Sequence, residues 1–231
     1  MRMQEHTAFS EGAGQAHPLG WPSRQLKDAY TSIVQLQNGC LQLRVEHNTL
    51  KGVTAEMLDW WFSVFVSQRV SYRGDVKKAF LFWHPQDHVD IRVSDDKALR
   101  PLRVGDEFYV GEMFGGDPKL QSRERVWVSK RDTAGFHVCL KRAGVRIGSI
   151  CYNFQDVPGG VDVVTEATLG FERGLAKTLL NNFIARLSFN MGMSDPWLLH
   201  NVQEFGYLQQ FLPELFSKRA QGNVIVLEDR G

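Results

Sequence analysis

The residues best suited to do chemistry lie in Leu81–Ile91, LFWHPQDHVDI, where His84 and His88 stand four apart and Asp87 and Asp90 share a segment rich in apolar and aromatic neighbours. Imidazole and carboxylate groups in such a setting are costly to desolvate unless something compensates them, and a metal ion or a catalytic network can do so. Two other stretches raise the same question. In Glu107–Phe114, EFYVGEMF, strand alternation puts Glu112 on the face of Phe108, Val110 and Phe114, either as a buried carboxylate or as a surface group on an edge strand. In Leu198–Glu204, His200 and Glu204 are one helical turn apart on one face, the spacing of half a metal site or of a solvated surface pair.

The rest of the chain must position these groups. With 231 residues, 43% hydrophobic and 23% charged, it falls in the ordinary globular class and can build one large core. Twenty-seven Lys and Arg against 26 Asp and Glu leave no global attraction to nucleic acid or anionic membrane, so a small, uncharged or weakly charged ligand is the expected partner. Cys40, Cys139 and Cys151 are odd in number and lack CxxC spacing, which points away from a disulfide framework and toward the cytoplasm. No secretory leader or membrane span is expected. A homodimer is compatible with all of this.

Residues 1–24 are rich in Gly, Ser, Gln and Pro without a period and are expected to form a flexible arm ahead of a single domain, 25–231. Thr31–His47 reads as two strands around Asn38-Gly39. Thr54 caps a helix whose face is expected to comprise Met57, Trp60, Trp61 and Val64, and Tyr72–Lys78 reads as a polar loop. Strands follow over Glu124–Lys130, Gly135–Arg142, Val145–Phe154 and Val161–Leu169, a meander without intervening helices that argues an antiparallel sheet. Glu172–Met191 has helical period, and Asp195-Pro196 is expected to cap and start a last helix running toward Lys218. No GxGxxG, Walker-type loop or GxSxG elbow is present, so nucleotide binding and serine hydrolysis lack a motif.

Four motifs in order, Gly52–Phe62 (GVTAEMLDWWF), Trp83–His88 (WHPQDH), Val157–Gly160 (VPGG) and His200-xxx-Glu204, resemble the diacetylphloroglucinol hydrolase family, which includes phloretin hydrolase. The resemblance implies an α+β helix-grip fold of the birch-pollen-allergen and START type, a curved antiparallel sheet around a long helix enclosing a deep cavity. It implies a zinc ion held by two His and two Glu, and hydrolysis of a carbon–carbon bond beside an aryl ketone. Carried over, the ligands are His84, Glu112, His200 and Glu204, with His88 as the competing first ligand. Two imidazoles and two carboxylates suit zinc, and manganese or ferrous iron would accept the same set. His88, Asp87 and Tyr152 are the candidates for proton handling, and Trp60, Trp61, Trp83 and Phe114 for the wall of a phenolic pocket, although adjacent tryptophans serve equally well in a core.

The chain departs from the family at Gly148–Asn153, where Cys151 or Tyr152 stands in place of a strand histidine. That departure motivates a second reading, a non-catalytic helix-grip carrier of an apolar or phenolic ligand. A third is an iron-dependent oxygenase using the same His and Glu groups.

Overall fold

The computed structural model describes residues 19–93, 100–142, 144–171, 181 and 191–227. A first hairpin joins β1 (Ala29–Gln35) to β2 (Leu41–His47), in register from Ala29 opposite His47 to Gln35 opposite Leu41. Its turn contains the expected Asn38-Gly39: Gly39 takes a φ of 79°, and Asn38 Oδ1 accepts from the Cys40 amide at 3.1 Å. After the short β3 (Leu50–Lys51) comes α1 (Ala55–Val64), capped as expected by Thr54, whose hydroxyl accepts from the Met57 amide at 3.3 Å. The face that α1 buries is carried by Leu58, Trp61 and Phe62, continued by Phe65, while Met57, Trp60 and Val64 are half-buried. Both stripes have helical spacing, so only the packing partner decides between them.

Residues expected to form a polar loop instead form the hairpin of β4 (Arg69–Tyr72) and β5 (Asp75–Lys78). Arg73 and Gly74 turn it with φ of 52° and 79°, and most of β5 is solvent-exposed, which removes the apolar alternation that marks a strand in sequence. A short α2 (Ala79–Trp83) leads into β6 (His88–Val93). The meander then runs through β7 (Glu107–Met113), β8 (Gln121–Asp132), β9 (Gly135–Arg142), β10 (Val145–Val157) and β11 (Gly160–Leu169).

The main sheet has the order β1-β2-β11-β10-β9-β8-β7-β6, with every neighbouring pair antiparallel and β3 added to β11. It is curved, and the long α3 (Met191–Ser217) packs on it, giving the α+β helix-grip fold. The predicted helix over Glu172–Met191 lies, apart from Asn181 and Met191, outside the described residues. Asp195 and Pro196 do not start the last helix: α3 already runs from Met191, with Pro196 and Pro213 inside it. An internal proline forfeits one backbone hydrogen bond and crowds the preceding turn, at about 3 kcal/mol. Trp197, Leu198 and Val202, buried with Leu43, Val45 and Ala167 of the sheet, offset that cost. Beyond α3, β12 (Val224–Leu227) joins β4 in parallel to complete a three-stranded sheet with β5. No described helix is long and apolar enough to cross a membrane.

Candidate metal centre and cavity

Three elements bring the chemical groups together. The β6–β7 ladder sets His88 directly opposite Glu112, so their side chains leave the sheet on one face. Across from them α3 presents His200 and Glu204 one turn apart. His200 Nε2 lies 3.7 Å from Glu112 Oε1 and 3.6 Å from Glu204 Oε2, and His88 Nε2 lies 3.8 Å from the same Glu204 oxygen. The donor atoms of His88, Glu112 and His200 all fall within 4.8 Å of one another. Buried His88 Nε2 and Glu204 Oε1 have no hydrogen-bond partner among the described residues.

Outer contacts fix which nitrogen faces inward. His88 Nδ1 sits 2.7 Å from the Phe80 carbonyl, which can only accept, so Nδ1 carries the proton and Nε2 turns a lone pair to the cluster. The ring is clamped flat against Phe80 at 3.7 Å between centroids. His200 Nδ1 donates to Asp87 Oδ2 at 3.0 Å, with both side chains 2% exposed, and this leaves Nε2 for Glu112 and Glu204. Trp83 donates its indole N–H to the Glu204 carbonyl at 2.8 Å, tying the turn of α3 that bears Glu204 to α2.

His84 stands one layer back. Its Nδ1 accepts from the Asp87 amide at 3.2 Å, so its Nε2 carries the proton and donates to Gln203 Oε1 at 3.3 Å. His84, Asp87 and His200 form a second group with donor atoms within 4.8 Å of one another, but the Asp87 carboxylate there is already engaged by the His200 N–H. The geometry therefore unites His88, Glu112, His200 and Glu204, and puts His84 and Asp87 behind them. Gln203 and the Phe80 carbonyl had no signal in the sequence, because a buried glutamine and a backbone oxygen acquire roles only from what folds against them.

Burial dominates the electrostatics. It pushes Glu204 up to about 8, helped by Glu112 and Asp87 and opposed by His200. Burial likewise raises Glu112, and together with the charges of His200 and His84 it holds His88 well below 6.5, neutral. His200 moves the other way. Burial disfavours its charge, yet the Asp87 hydrogen bond and the Glu204 and Glu112 carboxylates outweigh this and raise it to about 9. Asp87 is lowered because the His200 bond and the two nearby imidazoles overcome its own burial. The cluster thus holds protons on Glu204 and His200 that a divalent cation would replace.

Beside this cluster lies a cavity of about 370 Å³ between α1, α2, strands β7 to β11 and the first turns of α3. Trp83 and Phe114 line it together with Phe62, Phe136 and Tyr152, and Glu112 and Glu204 form its polar corner. Trp60 and Trp61 are not among the lining residues: Trp61 is fully buried against Trp83 and Phe211, and Trp60 packs edge-on against Phe216. Tyr152 stacks on Phe62, and burial, with the charges of Glu204 and Glu112, raises its hydroxyl well above 10. Cys151 alternates to the opposite face of β10 and does not line the cavity.

Residues 27–107 match the model of the DAPG hydrolase PhiG domain. That stretch, less than half of the chain, is similar to this domain, and the match supports a hydrolase. It takes in His84, Asp87 and His88 and ends before Glu112, so the β7 and α3 groups enter through the geometry alone. No curated protein matches the chain. Among solved structures, a Nitrosomonas europaea protein is 16% identical, covering 76% of this chain and 97% of its own with a TM-score of 0.45. Major latex-like protein 151 from Panax ginseng is 8% identical over 70% and 97%, with a TM-score of 0.42. Ara h 8.0201 is 11% identical over 71% and 97%, with a TM-score of 0.38. The helix-grip assignment stands on the strand order and the α3 packing described above.

Proposed function

We propose that the protein is a zinc-dependent hydrolase that cleaves the carbon–carbon bond between an acyl group and a phenolic ring, as its likeness to the DAPG hydrolase domain over residues 27–107 suggests. The observation that carries this is the convergence of two imidazole nitrogens and two carboxylates, with His200–Glu112, His200–Glu204 and His88–Glu204 contacts of 3.6 to 3.8 Å, beside an aromatic cavity that Glu112 and Glu204 line. Donors about 2.1 Å from a zinc ion at tetrahedral angles stand about 3.4 Å from one another, so small side-chain shifts would close His88, Glu112, His200 and Glu204 on the ion. Manganese or ferrous iron suits the same donors. Bound there, the cation would supply Lewis-acid polarisation of the acyl carbonyl or activation of water.

The chain's own residues do the rest. Asp87 and the Phe80 carbonyl hold the two imidazoles in the tautomer that turns Nε2 toward the carboxylates. Phe62, Phe114 and Trp83 offer flat apolar surface to a phenolic ring and keep bulk water from it. Tyr152 retains its proton at neutral pH and faces the cavity, so its hydroxyl is the group to protonate the ring carbon as the acyl group departs with water's hydroxyl as a carboxylic acid, and the proton this water gives up returns to the tyrosine. His88 and Asp87, the other sequence candidates for proton transfer, are committed in this reading to holding and orienting. The test is to incubate acylphloroglucinols and other aryl ketones with the zinc-loaded protein and measure acid release. Release that stops with chelator and in Glu204→Gln supports the reading, whereas release that is indifferent to both sinks it.

The absence of a strand histidine, with Cys151 turned away from the cavity, favours the carrier as second reading. Native mass spectrometry showing a phenolic ligand bound but never turned over, with zinc present, would select it.

A further inference from the structure

The segment Leu19–Gln25 crosses α3 after Glu204 and touches it at Gly206, Tyr207, Gln209 and Phe211. Trp21 inserts into an aromatic nest, stacking on Phe211 at 5.5 Å and 24° and meeting Phe82 edge-on at 5.5 Å. Tyr207 donates its hydroxyl to Ser23 Oγ at 3.0 Å, and the Tyr207 ring also lies against His84 at 5.2 Å. Arg24 bridges outward: one terminal nitrogen donates to Gln209 Oε1 at 2.8 Å and the other to the Asn48 carbonyl at 3.2 Å, joining α3 to the loop after β2. The close approach requires Gly206. A Cβ there would stand 2.9 Å from both Arg24 Cγ and Cδ, mid-chain atoms that would have to turn aside and carry the guanidinium away from Gln209 and Asn48. Glycine inside a helix weakens it, so its place two residues after Glu204 needs a compensating contact, and Arg24 is that contact.

We propose that Leu19–Gln25 is a strap that positions the ligand-bearing turn of α3, with Arg24 and Trp21 as positioning residues for His200 and Glu204. This rests on the metal-site reading above. The strap presses α3 from outside, and the Trp83 indole holds the Glu204 carbonyl from inside, so the turn is gripped from two sides.

The experiment compares the full chain with Arg24→Ala and Gly206→Ala in two measurements: hydrogen exchange of the α3 segment 198–208 without added metal, and zinc affinity by competition with a chromophoric chelator. Gly206→Ala separates the possibilities, since alanine strengthens a helix that is merely packed. If the strap positions the turn, both variants exchange at least tenfold faster there and bind zinc about tenfold more weakly. Exchange that stays unchanged in Arg24→Ala and slows in Gly206→Ala overturns the proposal. So does faster exchange with wild-type zinc affinity, which would make the strap a stabilising contact only. A wild-type chain that takes up no zinc overturns the metal reading, and the positioning role with it.

Discussion

Replacing Asp87 by Asn tests whether this carboxylate orients His200 or transfers protons itself. The two side chains meet at 3.0 Å, each 2% exposed, so the bond is charge-assisted and shielded from water. Such bonds contribute about 1.5–3 kcal/mol and neutral ones about 1. Asparagine keeps the shape and an acceptor oxygen, so the expected loss is about 1–2 kcal/mol, or roughly five- to thirtyfold in zinc affinity, in the range typical of outer-layer partners of metal-binding histidines. A second effect runs oppositely. Asp87 helps raise His200 to about 9, so at neutral pH a proton competes with the metal for this imidazole, and removing the carboxylate eases that competition. The deficit should therefore be full at pH 9 and above and shrink, or vanish, toward pH 7. Zinc affinity of both proteins in a chelator-buffered series from pH 7 to 9.5 reads this directly, with the His200 ring signals in NMR reporting its lowered protonation in the variant. Equal affinity at pH 9 and above would refute the orienting role.

Other consequences follow from the same geometry. His88→Ala should abolish stoichiometric zinc in elemental analysis after gel filtration, while His84→Ala, which loses the hydrogen bonds to Gln203 and the Asp87 amide, should keep it with affinity lowered no more than about tenfold. Ala167→Phe, pointing from β11 into the cavity, should leave zinc content intact and lower kcat/KM for an aryl ketone at least tenfold by filling the space of the ring. His47 is buried against Phe205 and Thr165, and its pKa is pushed down to about 3 by burial and Arg24. Its folded value is below the unfolded one of 6.5, so its contribution to stability is complete above pH 6.5 and is lost as pH falls toward 3. The gap corresponds to about 5 kcal/mol at most. Urea titrations from pH 7 to 4 should show that loss in the wild type and a flatter profile in His47→Gln.

How much of this was legible in the chain can be argued element by element. The β1–β2 hairpin, the Thr54 cap and the meander from β8 to β11 follow from local chemistry: a dipeptide that tolerates positive φ, a hydroxyl one turn ahead of an orphan amide, and alternation over long strands. The pairing of His200 with Glu204 needs only helical spacing. The β4–β5 hairpin was not legible, because most of β5 faces water and the four residues of β4, of which Val70 and Tyr72 are buried, are too few to show a rhythm. Nor was the start of α3, where Pro196 signals a helix beginning that the buried packing of Trp197 and Leu198 overrides.

The sequence alone offered the kinds of group: two imidazoles four apart in one short motif, a glutamate on a strand that could face inward or outward, and a His–Glu pair one helical turn apart. Only the tertiary structure placed His88, and not His84, against Glu204 and opposite Glu112, since both lie in one short motif and their orientation rests on the Phe80 carbonyl, the Asp87 amide and Gln203. It likewise decided that Trp83 and Phe114 line the cavity while Trp61 fills the core. Residue type and spacing constrain what a side chain can do. The direction of each nitrogen lone pair and each ring face is set by neighbours distant in sequence.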